Sequence, residues 1–316
     1  MTRRSIAVAA TAGLVATGSL LLLAGPGAAE QQAIPAGNLV RNPGGEANAG
    51  GDNHTRNVAP NGWTKGEDAK PRAAPIQVVR YGAPPSNVHY PERTQARVIG
   101  GGANFFAGGY PSATSTAFQT IDVSRAAPEI DGGGVRACLS AYLGGFRTDA
   151  GRARVTVEFL DEGEARLGQA QVGPVTQGHR KGVTAMLRRT AQANVPRNTR
   201  QLRTTITAEG SGSSSNYGYA DNISVALTRG ACEPALAVRC AGGALVATVT
   251  PSAIARTQRV QFTVRAARGS KQAAASRAPF SARIPMTGLT GRLTVTATVT
   301  QAGSGNIVLT ARSRRC

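Results

Sequence analysis

Few residues in this chain are arranged for chemistry. Asp161, Glu162 and Glu164 are the densest carboxylates, and glycoside hydrolysis needs two carboxylates flanking one bond. These three fall around Gly163, where a hairpin turn with solvated side chains is the simpler expectation. His54, His89 and His179 are dispersed and lack metal-ligand spacing. There is no Gly-x-Ser-x-Gly nucleophile elbow, and no glycine-rich loop opens a helix. Catalysis is therefore not expected. What remains are aromatic rings, which stack on pyranose faces when exposed. The ligand candidates are Trp63, Tyr90, Tyr110 and Tyr217. Tyr90 and Tyr110 lie in the Pro/Gly-rich stretches His89-Tyr90-Pro91 and Gly109-Tyr110-Pro111, and Tyr217 abuts a Ser/Gly loop at 210–216. Both settings predict exposure. Most other aromatic residues are expected to fill a core.

The elements that must carry these rings are strands. Helical periodicity is nearly absent, and period-two alternation recurs. Val155, Val157 and Phe159 alternate with Arg154, Thr156 and Glu158, and Val260, Phe262 and Val264 alternate with Arg259, Gln261 and Thr263. Such patterns bury one face and wet the other, as in antiparallel sheets. Ten strands are predicted at 39–41, 76–80, 95–99, 114–121, 135–143, 153–160, 165–172, 183–191, 201–208 and 219–227. Six more follow at 236–240, 244–250, 259–265, 279–284, 292–300 and 306–312. Gly230–Pro234 interrupts the pattern, so the expectation is an all-β chain of two domains, 37–229 and 235–316. The polar stretch 44–75 reads as a long loop, of the kind that is often functional or disordered.

Residues 1–29 read as a secretory signal peptide: Arg3 and Arg4 start it, an apolar run from Ile6 to Ala24 follows, and Gly27-Ala28-Ala29 offers a cleavage site. A secreted, extracellular protein of about 287 residues with no transmembrane anchor is the expectation, and a monomer. The net charge is +19, or +17 once Arg3 and Arg4 leave. Arginine outnumbers lysine 32 to 4 and is scattered, as a GC-rich genome would produce without selection for binding. Only 4% of residues are aromatic, which leaves no base-stacking platform, so no specific nucleic-acid role is expected. Weak adhesion to acidic cell-wall polymer stays open.

Four cysteines in an exported chain should be oxidised, and three connectivities exist. Pairing within each predicted domain gives Cys138–Cys232 and Cys240–Cys316. The rival joins Cys232 to Cys240 and leaves Cys138 for Cys316.

Two short elements carry a resemblance. Asn38-Leu39-Val40-Arg41-Asn42-Pro43-Gly44-Gly45-Glu46 and Tyr217-Gly218-Tyr219-Ala220-Asp221-Asn222-Ile223-Ser224-Val225 resemble the first and last strands of the galactose-binding-like jelly roll, the fold of many carbohydrate-binding modules. The Gly-Gly-Glu ending at Glu46 resembles that family's Gly-Phe-Glu, with Gly45 in place of the aromatic. Gly62-Trp63 resembles its Gly-Trp, which usually packs. The resemblance implies that the terminal strands lie together and that Glu46 and Asp221 share a structural calcium ion, completed by backbone carbonyls near Asn42 and Gly44. The second domain resembles the Ig-like β-sandwich modules appended to secreted actinobacterial proteins.

The resulting expectation is a jelly-roll sandwich followed by a small Ig-like sandwich, binding polysaccharide or cell-wall carbohydrate without catalysis. A structural or adhesive surface protein without a sugar ligand, and a polysaccharide-active enzyme, are the rivals. Binding predicts at least two aromatic rings on one concave face or rim.

Overall fold

A computed structural model describes residues 34–53, 58–66, 74–84, 90–211, 215–252, 254, 256–302, 304–314 and 316. The proposed leader, His54 and His89 lie outside the described residues. The chain is all-β. Its first ten strands are β1 (Thr64–Lys65), β2 (Gln77–Arg80), β3 (Asn104–Ala107), β4 (Thr114–Asp122), β5 (Arg136–Gly145), β6 (Arg152–Leu160), β7 (Arg166–Val172), β8 (Ala185–Asn194), β9 (Gln201–Glu209) and β10 (Gly218–Thr228). They form two antiparallel five-stranded sheets, ordered β1-β4-β9-β6-β7 and β2-β3-β10-β5-β8, packed as a jelly-roll sandwich.

Alternation explains the first sheet. In β6, Ala153, Val155, Val157 and Phe159 are buried while Arg154, Thr156 and Glu158 face outward. The inward residues meet Ala117, Leu202 and Ile206 from the same sheet and Leu139, Leu143 and Val225 from the other. Each fully buried aliphatic or Phe side chain contributes about 1.5–3 kcal/mol.

The second sheet is covered on both faces, so its central strands β5 and β10 are buried almost throughout. Their outward residues join a smaller core, in which Tyr219, Phe105 and Val79 pack with Tyr81, Tyr90, Ala96, Ile99 and Met186. The cover is a helix, α1 (Arg93–Ile99), which corrects the strand expected at 95–99. Only Ala96 and Ile99 are buried in it, a three-residue spacing that fits a helix and not a strand. Gly100, at φ 68°, ends it in the left-handed region. The adjacent sheet position belongs to β3, which was not expected.

The predicted first strand at 39–41 lies beside β10 without strand geometry. Leu39 N–H donates to Val225 O at 2.8 Å, and the Asn38 side chain bridges Ile223 O at 2.9 Å and Val225 N–H at 3.0 Å. The segment after it is braced by asparagines. Asn42 Nδ2 donates to Asn48 Oδ1 at 3.0 Å and to Asn61 O at 2.9 Å, and Asn61 Nδ2 donates to Ala47 O at 2.8 Å.

A second sandwich follows, of β11 (Ala235–Ala241), β12 (Ala244–Thr250), β13 (Thr257–Arg265), β14 (Ser270–Ala275), β15 (Phe280–Pro285), β16 (Leu293–Gln301) and β17 (Ser304–Ser313). The sheets run β11-β12-β15 and β14-β13-β16-β17, around Leu245, Phe262, Val295 and Phe280. The edge strand β14 has no apolar alternation, so its sequence gave no signal. Disulfides join Cys138 to Cys232 and Cys240 to Cys316. Cys138 and Cys232 pack with Ile254, and Ser224 Oγ donates to Ile254 O at 3.0 Å, so the first bridge lies where the two sandwiches meet. Among the described residues, no helix is long and apolar enough to cross a membrane.

Candidate functional site

Four loops converge at the end of the jelly roll where β10 begins. Gly108 N–H donates to Gly218 O at 3.0 Å, and Gly210 N–H donates to Ala113 O at 2.8 Å. Ser211 Oγ donates to Asp149 Oδ2 at 2.6 Å. These contacts bring the Tyr110 loop, the β5–β6 turn and the Tyr217 segment together. Tyr110 is 45% exposed. Tyr217 is half-buried, with its ring 5.3 Å from that of Phe146, and the Arg147 guanidinium lies 5.4 Å from the Phe146 ring centre. The rim therefore holds three rings with polar groups beside them.

The rim is organised by a buried cation. Arg180 is 2% exposed. Its Nη1 donates to Val175 O at 3.1 Å and Gly151 O at 3.4 Å. Its Nη2 donates to Asp149 O at 2.8 Å, Arg147 O at 3.2 Å and Phe146 O at 3.5 Å. Burial lowers its pKa from the usual value, against the raising effect of the Asp149 carboxylate. One planar fork of donors thus fixes the backbone of the turn that carries Phe146 and Arg147.

One aromatic candidate is corrected; another, Trp63, packs as its resemblance to the family's Gly-Trp implied. Tyr90 was expected on an exposed rim but is 6% exposed, within the core over the second sheet. Its ring lies 6.0 Å from Phe105 and 6.3 Å from Tyr219. The Pro-flanked segment is the lid of a second core, and a ring there gains burial. Trp63 is 9% exposed, packs edge-on to Phe106 at 5.6 Å and donates Nε1–H to Asn42 O at 3.2 Å. It is a core residue with its polar atom satisfied.

Glu46 and Asp221 reach the two sides of Gly101-Gly102. A Cβ on Gly101 would collide with Asp221 Oδ2, and one on Gly102, whose φ is +67°, with the Glu46 carboxylate. A bulge in β10 after Asp221 aims this carboxylate away from the main core. Asp221 is wholly buried. Its Oδ2 accepts from the Tyr81 hydroxyl at 2.6 Å and its Oδ1 from Asn222 N–H at 2.6 Å. Glu46 accepts from Ala103 N–H at 3.1 Å and Asn104 N–H at 2.8 Å. Burial pushes the Asp221 carboxyl well above the usual carboxylate range; Glu46 adds to this, and the two hydrogen bonds oppose it.

Calcium needs six to eight oxygen ligands. Here every carboxylate oxygen faces an N–H or O–H donor, and the Gly44 and Gly101 backbones press against Asp221. Nearby carbonyls are engaged too: Asn42 O accepts from Gly45 N–H and Pro43 O from Ile223 N–H. As placed, these residues do not fit a resident calcium ion. Among the described residues, no group of three or more His, Cys, Asp or Glu side chains is disposed to hold a metal.

The carboxylates at 161–164 form a turn. Asp161 Oδ1 accepts from Ala165 N–H at 2.8 Å, and Glu164 pairs with Arg203 at 3.1 Å while 61% exposed.

No family model matches the chain, and no curated protein matches it. Solved structures do resemble it. The enzymatically active domain of bacteriophage CBA120 tailspike protein 4 aligns at 15% identity and a TM-score of 0.36, covering 60% of this chain and 21% of that one. TmCBM61 in complex with β-1,4-galactotriose aligns at 13% identity and a TM-score of 0.34, covering 61% of this chain and 99% of that one. The Clostridium thermocellum xylanase 10B CBM22-1–GH10 modules complexed with xylohexaose align at 15% identity and a TM-score of 0.31, covering 58% and 29%.

Sequence reasoning missed Phe118 and Arg203 on the outer face of the first sheet. Phe118, Thr205, Thr156 and Gln171 form one cross-strand row, and Thr120, Arg203, Glu158 and Gln169 the next. Arg203 stacks over Phe118 at 5.4 Å. Nearer the rim, Glu209 pairs with Arg152 at 2.7 Å and with Arg154. Burial alone would raise the Glu209 carboxyl, but the bonds from Arg154 and Arg152 outweigh it and hold it below the usual range. The polar half of each strand's alternation marked these residues, and nothing in it separated a binding face from a solvated one. Arg180 carried no signal, because a lone arginine in a Gly-rich loop reads as solvated.

Proposed function

We propose that this is a secreted, non-catalytic protein whose jelly roll binds polysaccharide or cell-wall carbohydrate, with the Ig-like second sandwich as a stable companion module. The Phe146–Tyr217 ring pair, 5.3 Å apart on a rim whose loops also carry the exposed Tyr110, carries the reading. Rings held at a rim by a rigid backbone lose little entropy when a sugar face stacks on them. Arg147, Asp149 and Ser211 supply polar groups beside the rings. Secretion is supported by the two disulfides and by the leader-like N-terminus.

Binding of the disulfide-intact protein to insoluble polysaccharides and whole cell wall tests this reading. Stacking is short-ranged, whereas charge-driven adhesion is screened, with a Debye length of about 3 Å at 1 M salt. Retention in 1 M salt, lost in Tyr110→Ala, Tyr217→Ala or Phe146→Ala, is the expected result. Binding that high salt abolishes and these substitutions leave intact would show a non-specific basic adhesive instead.

A further inference from the structure

A second concave surface lies away from the rim, over the end of β2. Its cavity of about 480 Å³ is lined by Arg80, Tyr81, Arg93, Ala96, Arg97, Gly100, Gly102 and Ala103. Three of the lining residues are arginines. Arg80 pairs with Asp52. Glu46, exposed and against Gly102, accepts from the amides of Ala103 and Asn104. Glu92 is exposed beside Arg93. Among the described residues, no carboxylate forms an ion pair with Arg93 or Arg97. Arg93 Nε reaches only Tyr81 O, at 3.5 Å.

Arg93 and Arg97 stand four residues apart on α1, on one face of the helix. Like charges at that spacing repel. The helix that holds them is fixed: Ala96 and Ile99 are buried beneath it, and Asn222 Nδ2 donates to Ile99 O at 2.9 Å. Gly100 and Gly102 form part of the cavity wall, and the Glu46 carboxylate packs against Gly102. Arg229 and Arg256 also line concavities, but Arg229 pairs with Glu129. The Arg93 and Arg97 pair is set in a cavity on a braced element, without an ion-pair partner among the described residues.

We propose that this cavity binds an oxyanion group, the carboxylate of a uronic acid or the phosphate of a polymer, with Arg93 and Arg97 as its ligands. Guanidiniums present planar forks that match either group with paired hydrogen bonds. Tyr81 does not stack on the ligand, because its ring is buried and its hydroxyl is engaged by Asp221. The site therefore reads charge and not pyranose shape, and it is independent of the rim.

Isothermal titration of the disulfide-intact protein with D-glucuronate, D-glucose and inorganic phosphate tests the site. Glucuronate binds and glucose does not. Arg93→Gln/Arg97→Gln weakens glucuronate at least about ten-fold, as expected when charged partners are removed. Arg259→Gln/Arg265→Gln, on the second sandwich, leaves it unchanged, and so does Tyr217→Ala at the rim. Phosphate binding more tightly than glucuronate, with the same dependence on Arg93 and Arg97, upholds the site and assigns it to phosphate-bearing polymers. Equal losses from the remote double variant, or no loss from Arg93→Gln/Arg97→Gln, overturn the proposal. Arg97→Gln alone, at an exposed side chain, gives the same reading if the double variant folds poorly.

Discussion

The hydroxyl of Tyr81 donates to Asp221 at 2.6 Å, joining the end of β2 to the bulge in β10 inside a fully buried setting. The pair holds the start and end of the jelly roll together.

The buried carboxyl gives the fold a pH signature. The folded pKa of Asp221 is raised, chiefly by burial. Its contribution is fully present below the unfolded value, about 3.9, and is lost as pH rises through the folded value. Asp221→Asn keeps an acceptor for Asn222 N–H and places an amide toward Tyr81, without the charge. The melting temperature of Asp221→Asn minus that of wild type should therefore grow from about pH 4 upward. A difference that is flat with pH would show that Asp221 is not raised in the fold.

Removing the hydroxyl should cost stability. Tyr81→Phe leaves Asp221 Oδ2 buried without its partner, a loss of about 1–3 kcal/mol, read by chemical denaturation. Chelator should leave the wild-type melting temperature unmoved. A calcium-dependent rise would reveal an ion that these donors do not fit, since ligands of the folded state raise stability by mass action.

Arg180→Met should loosen the rim. It removes the donor from five carbonyls, of which Phe146 O keeps Asp149 N–H; a hydrogen bond to a charged group is worth about 1.5–3 kcal/mol, so a loss of at least about 3 kcal/mol is expected. Carbohydrate retention should fall with it, although Arg180 touches no ligand. Full retention together with lowered stability would separate the rim from binding.

The two bridges should act locally. Cys240→Ser/Cys316→Ser releases a 76-residue separation, worth about 4–5 kcal/mol in the chain-entropy account. The second sandwich should melt earlier and leave the Trp63 fluorescence transition of the jelly roll in place. A shift of both transitions together would show that the sandwiches unfold as one.

In the first sheet β4, β6, β7 and β9 were legible because each has one wet face and one dry face, as in Val155, Val157 and Phe159, whereas the two-residue β1, exposed at both positions, lay hidden in the stretch read as a loop. The sheet buried on both sides was harder. There β5 and β10 lose the alternation, and the residues that cover them, Tyr90 and α1, look like an exposed loop and a strand. β3 was hidden because Asn104-Phe105-Phe106-Ala107 is short and apolar on both faces. The cysteine pairing followed from the two-part layout of the strands. Of the site, Tyr110 and Tyr217 could be found from their loops. Phe146 could not, because its exposure depends on a turn that Arg180 folds from 34 residues downstream.

The Cys138–Cys232 bridge also has a mechanical consequence. Cys232 follows β10, and Cys138 lies on β5, its hydrogen-bonded neighbour. A pull on the second sandwich is thus shared between two adjacent central strands instead of peeling β10 away alone. The aromatic rim is at the far end of β10, about 35 Å along an eleven-residue strand. A load applied between the rim and the second sandwich would therefore run lengthwise through the sheet, loading its hydrogen bonds in shear.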